Sequence, residues 1–68
     1  MEDWQQRVVE EKKELNEKIM KLVTFLFTST FEISENARKL LEMQRDVMLK
    51  YSDILTARIE DFGPKNLN

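Results

Sequence analysis

Val8, Leu15 and Leu22 recur at every seventh position, and Ile19 and Leu26 stand four residues after the last two. This spacing gathers the apolar side chains onto one stripe of an α-helix and predicts a helix from Asp3 to about Leu26. Off the stripe, Glu14 precedes Lys18 and Glu17 precedes Lys21 by four residues, the favourable order for pairs on a solvated helix face. Thr28, Ser29 and Thr30 then break the pattern. Ser34 followed by Glu35 supplies an N-cap and a first-turn acid for a second helix. Ser29 and Glu32 match the S-x-x-E capping box as well, a second place where a helical turn can begin. The second helix is expected from about Glu35 to Phe62, stopped by Gly63 and Pro64, with 64–68 as a frayed tail.

The fold class that follows is all-α. Residues 1–68 form a single domain, an antiparallel hairpin of two long helices at about 3–26 and 35–62. Two helices bury too little surface to stand alone, and a domain of 68 residues has a marginal core. The chain has no Cys and no His, so disulfides are excluded and the commonest zinc ligands are missing. Self-association is the remaining route to stability, which predicts a helical homo-oligomer. Trp4, Val9, Val23 and Met43, apolar positions that one hairpin leaves without partners, fit that expectation, with Trp4 read as an interface anchor.

Charge narrows the partners. The net charge of -2 gives no overall attraction to a DNA or RNA duplex, so an anionic ligand has to be held by a local group of Lys and Arg. The most apolar segment, Met20 to Phe27, is interrupted by Lys21 and Thr24 and is far shorter than the ~20 residues of a membrane span. No basic region followed by an apolar run occurs at the N-terminus, so the chain reads as cytosolic. The acidic run Glu10, Glu11, Glu14 and Glu17 reads as a solvated face rather than a metal cluster, because no His accompanies it. No cofactor is implied. With no Gly-rich phosphate loop and no Cys or His, catalysis has little to stand on, and the chain is expected not to be an enzyme.

Three features carry candidate chemistry. On the second helix the stripes Leu40, Val47, Ile54 and Leu41, Met48, Leu55, Phe62 flank a third made of Ala37, Gln44, Tyr51 and Arg58. Such a polar row either fixes register in a bundle or faces a shared cavity with a polar ligand. Lys12 shares the apolar seam of the first helix, where an ammonium either reaches the rim of an interface or is held for an anion. Phe27 stands beside the hydroxyls of Thr28, Ser29 and Thr30, a combination that suits base stacking and phosphate contacts. The plainer alternative has Phe25, Phe27 and Phe31 plug the end of the hairpin while the hydroxyls cap helices.

The run Arg7-Val8-Val9-Glu10-Glu11 with Glu14-Leu15, Lys21-Leu22, Phe25-Leu26 and Phe31, followed by Leu40-Leu41, Gln44, Met48, Tyr51, Ile54-Leu55 and Arg58-Ile59, resembles a family of small bacteriophage proteins. These are the anti-CBASS cyclic-nucleotide sponges of the second type. The resemblance spans Arg7 to Phe62, and its least generic part is Q-x-x-x-M-x-x-Y-x-x-I-L-x-x-R-I.

It implies an all-helical homohexamer in the host cytoplasm that evades immunity by sequestering cyclic dinucleotides at dimer interfaces and cyclic trinucleotides at separate trimer pockets, uncleaved. In that family a Tyr on the first helix and a Lys near its end contact the dinucleotide. A following hydroxyl and an Arg late in the last helix serve the trinucleotide. Laid on this sequence, the Tyr falls at Lys12 and the Lys at Phe27, so the pair has exchanged chemistry. The hydroxyl falls at Thr28 or Ser29, and the Arg at Arg58. The resemblance thus implies Lys12, Phe27, Thr28, Ser29 and Arg58 as cyclic-nucleotide contacts, with Lys12 and Arg58 in different pockets, far apart along the hairpin. The alternative function is a self-associating helical adaptor or assembly module with no small-molecule ligand.

Overall fold

The computed structural model describes residues 2–29 and 31–67, with side chains described as far as Phe62; Thr30 lies outside the described residues. The described residues form two helices, α1 (Asp3–Thr28) and α2 (Glu35–Leu67). The molecule is a rod of 53 × 15 × 14 Å.

Helix α1 starts where Glu2 leaves extended backbone, and the Glu2 backbone N–H donates to Gln5 Oε1 at 2.8 Å. Its end is tied by Ser29, whose N–H donates to the Phe25 carbonyl at 2.9 Å. Ser29 is therefore the C-cap of α1, and the S-x-x-E match at Ser29 and Glu32 starts no helix. The Ser29 N–H, which a helix start would leave free, is already spent on closing α1. Residues 31–33 make a turn and bend instead. Ser34 caps α2 as the sequence predicts, its Oγ accepting the Ala37 N–H at 3.0 Å, a contact worth about 1 kcal/mol.

The far end of α2 differs from expectation. The helix continues to Leu67, so Gly63 and Pro64 do not stop it after Phe62. A proline in a helix removes one hydrogen bond, sets its ring against the carbonyl four residues back, and crowds the backbone N–H and Cβ of the residue before it. Gly63 has no Cβ, which relieves part of that crowding. Of the expected frayed tail, Asn68 and the side chains of 64–67 lie outside the described residues.

The core is the seam between the helices. Val8, Leu15 and Ile19 of α1 meet Leu55 and Phe62 of α2, with Met48 and Ile59 packed against them, and Leu55 alone is fully enclosed. Leu26 is buried near the turn. Four of the five expected stripe residues of α1 are thus buried, and Leu22 is half-buried. On α2 the stripe Leu41, Met48, Leu55, Phe62 faces α1, whereas Leu40, Val47 and Ile54 stay 57%, 68% and 48% exposed. At the open end Trp4 meets the edge of Phe62 with ring centres 5.4 Å apart, yet remains 53% exposed.

Candidate functional site

Two side-chain bonds fix how the helices face each other. The Tyr51 hydroxyl donates to the Glu11 carboxylate, and Ser52 Oγ donates to Asn16 Oδ1 at 2.7 Å. Neighbours on a helix stand about 100° apart, so Tyr51 and Ser52 reach α1 from opposite sides of the seam. The rod therefore has a Tyr51 face and a Ser52 face.

Helical geometry assigns the remaining candidates. On the Tyr51 face lie Gln44, Arg58 and the exposed Leu40, Val47 and Ile54, spaced alternately by three and four residues. The polar stripe is thus flanked by an apolar row that the hairpin itself does not cover. Gln44 Nε2 reaches Met48 Sδ along α2, while Arg58 is exposed and makes no ion pair among the described residues. On the Ser52 face lie Val9, Lys12, Asn16, Met20, Val23 and Phe27. Met20 is 64% exposed there, and Lys12 is half-buried at the seam's edge, beside Val9, Asn16 and Met20.

The five candidate contacts do not converge within one chain. Phe27, Thr28 and Ser29 sit together at the turn. Lys12 is about 22 Å away along α1 from Phe27, taking ~1.5 Å per residue. Because Tyr51 lies against Glu11, Arg58 is within about 10 Å of the Lys12 level along the axis, on the opposite face. The expectation that Lys12 and Arg58 lie far apart along the hairpin is corrected. The antiparallel return of α2 brings its late residues back beside the first half of α1.

The turn residues also differ among themselves. Thr28 is exposed, and its hydroxyl donates to the Thr24 carbonyl at 2.9 Å, which leaves the oxygen free to accept. Ser29 is buried, and its carbonyl accepts Arg38 Nη2 at 3.2 Å. Phe27 and Phe31 are 86% and 97% exposed, so they do not plug the end of the hairpin. The hairpin is too thin there to enclose them, and among its apolar residues at the end of α1 it is Leu26 that turns inward. Sequence reasoning passed over Arg38, Glu42 and Arg45, which join Phe27 around one cavity. They fall outside the apolar stripes, and only the fold places them beside the aromatic ring.

Among the described residues no group of carboxylates is placed to hold a metal ion, and no helix is long and apolar enough to cross a membrane. A family model described as Sequestin matches residues 2–61. The name denotes a binding, sequestering protein, in accord with the resemblance to the anti-CBASS sponges. No curated protein and no solved structure matches the chain.

Proposed function

The chain belongs to the Sequestin family, and from that premise we propose that it is a phage immune-evasion protein that sequesters cyclic di- and trinucleotide messengers of host CBASS defence. It holds them between copies of itself, uncleaved, in the host cytoplasm. One observation carries the reading: an exposed apolar seam lies on each face of the rod, and each seam carries one of the candidate cations.

A second copy antiparallel to the first on the Ser52 face, related by a two-fold axis near Met20, sets Lys12 of one chain beside Phe27 of the other. Residues 12 and 27 stand nearly equal distances either side of Met20, so the pairing follows from the spacing. Cation and aromatic plate then meet twice per dimer, as a two-fold ligand requires. On the Tyr51 face, antiparallel pairing about Val47, the midpoint of Leu40, Val47 and Ile54, sets Arg58 level with Asn36 of another copy. That is the turn end, where Thr28 lies. Within one chain Arg58 and Thr28 are about 30 Å apart, so only a second copy can join them. Two different self-complementary faces also build beyond a dimer, in keeping with the hexamer the resemblance implies.

Retention without cleavage fits a chain that lacks His and Cys, the usual bases and nucleophiles. The adaptor alternative predicts no small-molecule binding. Calorimetry of two variants separates the pockets: Lys12→Ala should weaken cyclic dinucleotide binding and spare cyclic trinucleotides, and Arg58→Ala should do the reverse. Loss of a charge-assisted phosphate contact costs about 1.5–3 kcal/mol, roughly ten- to a hundredfold in affinity. Variants that keep the parent's assembly and bind every cyclic nucleotide as it does would refute both assignments.

A further inference from the structure

At the closed end of the rod, Val23, Leu26, Phe27, Arg38, Glu42 and Arg45 line a cavity of about 210 Å³. That is below the ~300–1,000 Å³ of pockets that take a whole drug-sized ligand. It has room for one base, not for a cyclic dinucleotide. Val23 and Leu26 give it an apolar floor, and the exposed ring of Phe27 offers one wall on which a base can stack.

The polar wall decides which part of a nucleotide enters. Neither guanidinium is fully used: Arg38 Nη2 donates to the Ser29 carbonyl at 3.2 Å and Arg45 pairs with the Asp46 carboxylate at 3.0 Å, each with donors to spare. The Glu42 carboxylate makes no hydrogen bond or ion pair among the described residues. Because the cavity has room for one base alone, the base lies inside against the uncommitted carboxylate and the phosphates lie outside. An ionised carboxylate only accepts hydrogen bonds, and its two oxygens match two donors side by side. Guanine alone among the bases presents such a pair, N1–H and the N2 amino group. Adenine sets an acceptor, N1, beside its amino group, as cytosine does with N3. Uracil flanks its one N–H with carbonyls.

We infer that Glu42 and Phe27 form a guanine-reading subsite, Phe27 stacking the base and Glu42 accepting from its N1–H and N2 amino group, so that this chain prefers guanine-containing cyclic dinucleotides. The inference rests on the sequestration reading and adds the base to it.

Calorimetry with cyclic di-GMP, cyclic GMP–AMP and cyclic di-AMP, on the parent and on Glu42→Gln, tests it. The parent should bind both guanine-containing compounds at least about tenfold more tightly than cyclic di-AMP, the loss expected when a buried partner goes unpaired. Glu42→Gln should lose that preference, and its affinity for cyclic di-AMP should hold or rise, because an amide offers the donor and acceptor that match adenine N1 and its amino group. Cyclic di-AMP binding as tightly as the guanine compounds, or a Glu42→Gln variant that weakens all three alike, would overturn the guanine subsite and leave sequestration standing. No binding of any of the three by the parent would overturn the subsite together with the dinucleotide pocket it rests on.

Discussion

Leu55→Ala should cost the protein about 2–5 kcal/mol, the range for emptying a leucine site in a packed core. Leu55 is fully enclosed, and it sits where Val8, Leu15 and Ile19 of α1 converge on α2. A domain of this size has only a few kcal/mol of stability in total, at ~0.05–0.15 kcal/mol per residue. Each kcal/mol moves the midpoint of such a small domain by about 4–8 °C. The expected result in a thermal melt followed by circular dichroism is a Tm lower by at least ~10 °C, or a chain already unfolded at room temperature. A midpoint within a few degrees of the parent would mean that the seam between α1 and α2 is not the core.

The second large effect is on assembly. Val47→Glu combined with Ile54→Glu places two carboxylates on the Tyr51 face, where the parent residues are 68% and 48% exposed in the single hairpin. For an isolated chain such changes are close to neutral, within about 0.5 kcal/mol. In a two-fold interface each appears twice, and uncompensated charges buried there cost several kcal/mol. The contact should weaken by about a thousandfold or more, since every ~1.4 kcal/mol is tenfold. Light scattering should report smaller particles than the parent, with the helical signal of circular dichroism retained. An unchanged particle size would show that this face is free in solution. A lost helical signal would show instead that it supports the hairpin.

What the sequence made legible follows from the strength of its periodicity. The sevenfold spacing of Val8, Leu15 and Leu22 is long and uninterrupted, and it placed α1 and the inward side of its stripe, while Ser34 followed by Glu35 placed the cap of α2. On α2, two apolar stripes and one polar stripe run side by side, and composition alone does not say which turns inward. The two bonds from Tyr51 and Ser52 to α1 resolve it; Tyr51 stands on the polar row that pattern reads as fixing register or facing a cavity, whereas Ser52 carries no signal in the pattern.

The stop at Gly63 and Pro64 failed because two signals that usually act together offset each other here, the missing Cβ of glycine easing the clash of proline. The site was partly visible. Phe27, Thr28 and Lys12 stood out as chemistry in apolar surroundings, while Arg38, Glu42 and Arg45 stood out nowhere, because charged residues on a helix surface carry no signal until a neighbouring helix sets an aromatic ring beside them. That Ser29 is buried while Thr28 is exposed likewise depends on where α1 ends, a boundary that pattern fixes only to within a turn.

On the proposed function, copies of this chain hold cyclic nucleotides between them and release them unchanged. Native mass spectrometry with a panel of cyclic di- and trinucleotides tests it most directly, followed by heating the loaded protein and identifying what comes free. The expected result is a hexamer, mass increments equal to whole cyclic nucleotides, and recovery of the same cyclic compounds after denaturation. A folded monomer, an oligomer that takes up none of the panel, or linear products after incubation would contradict it.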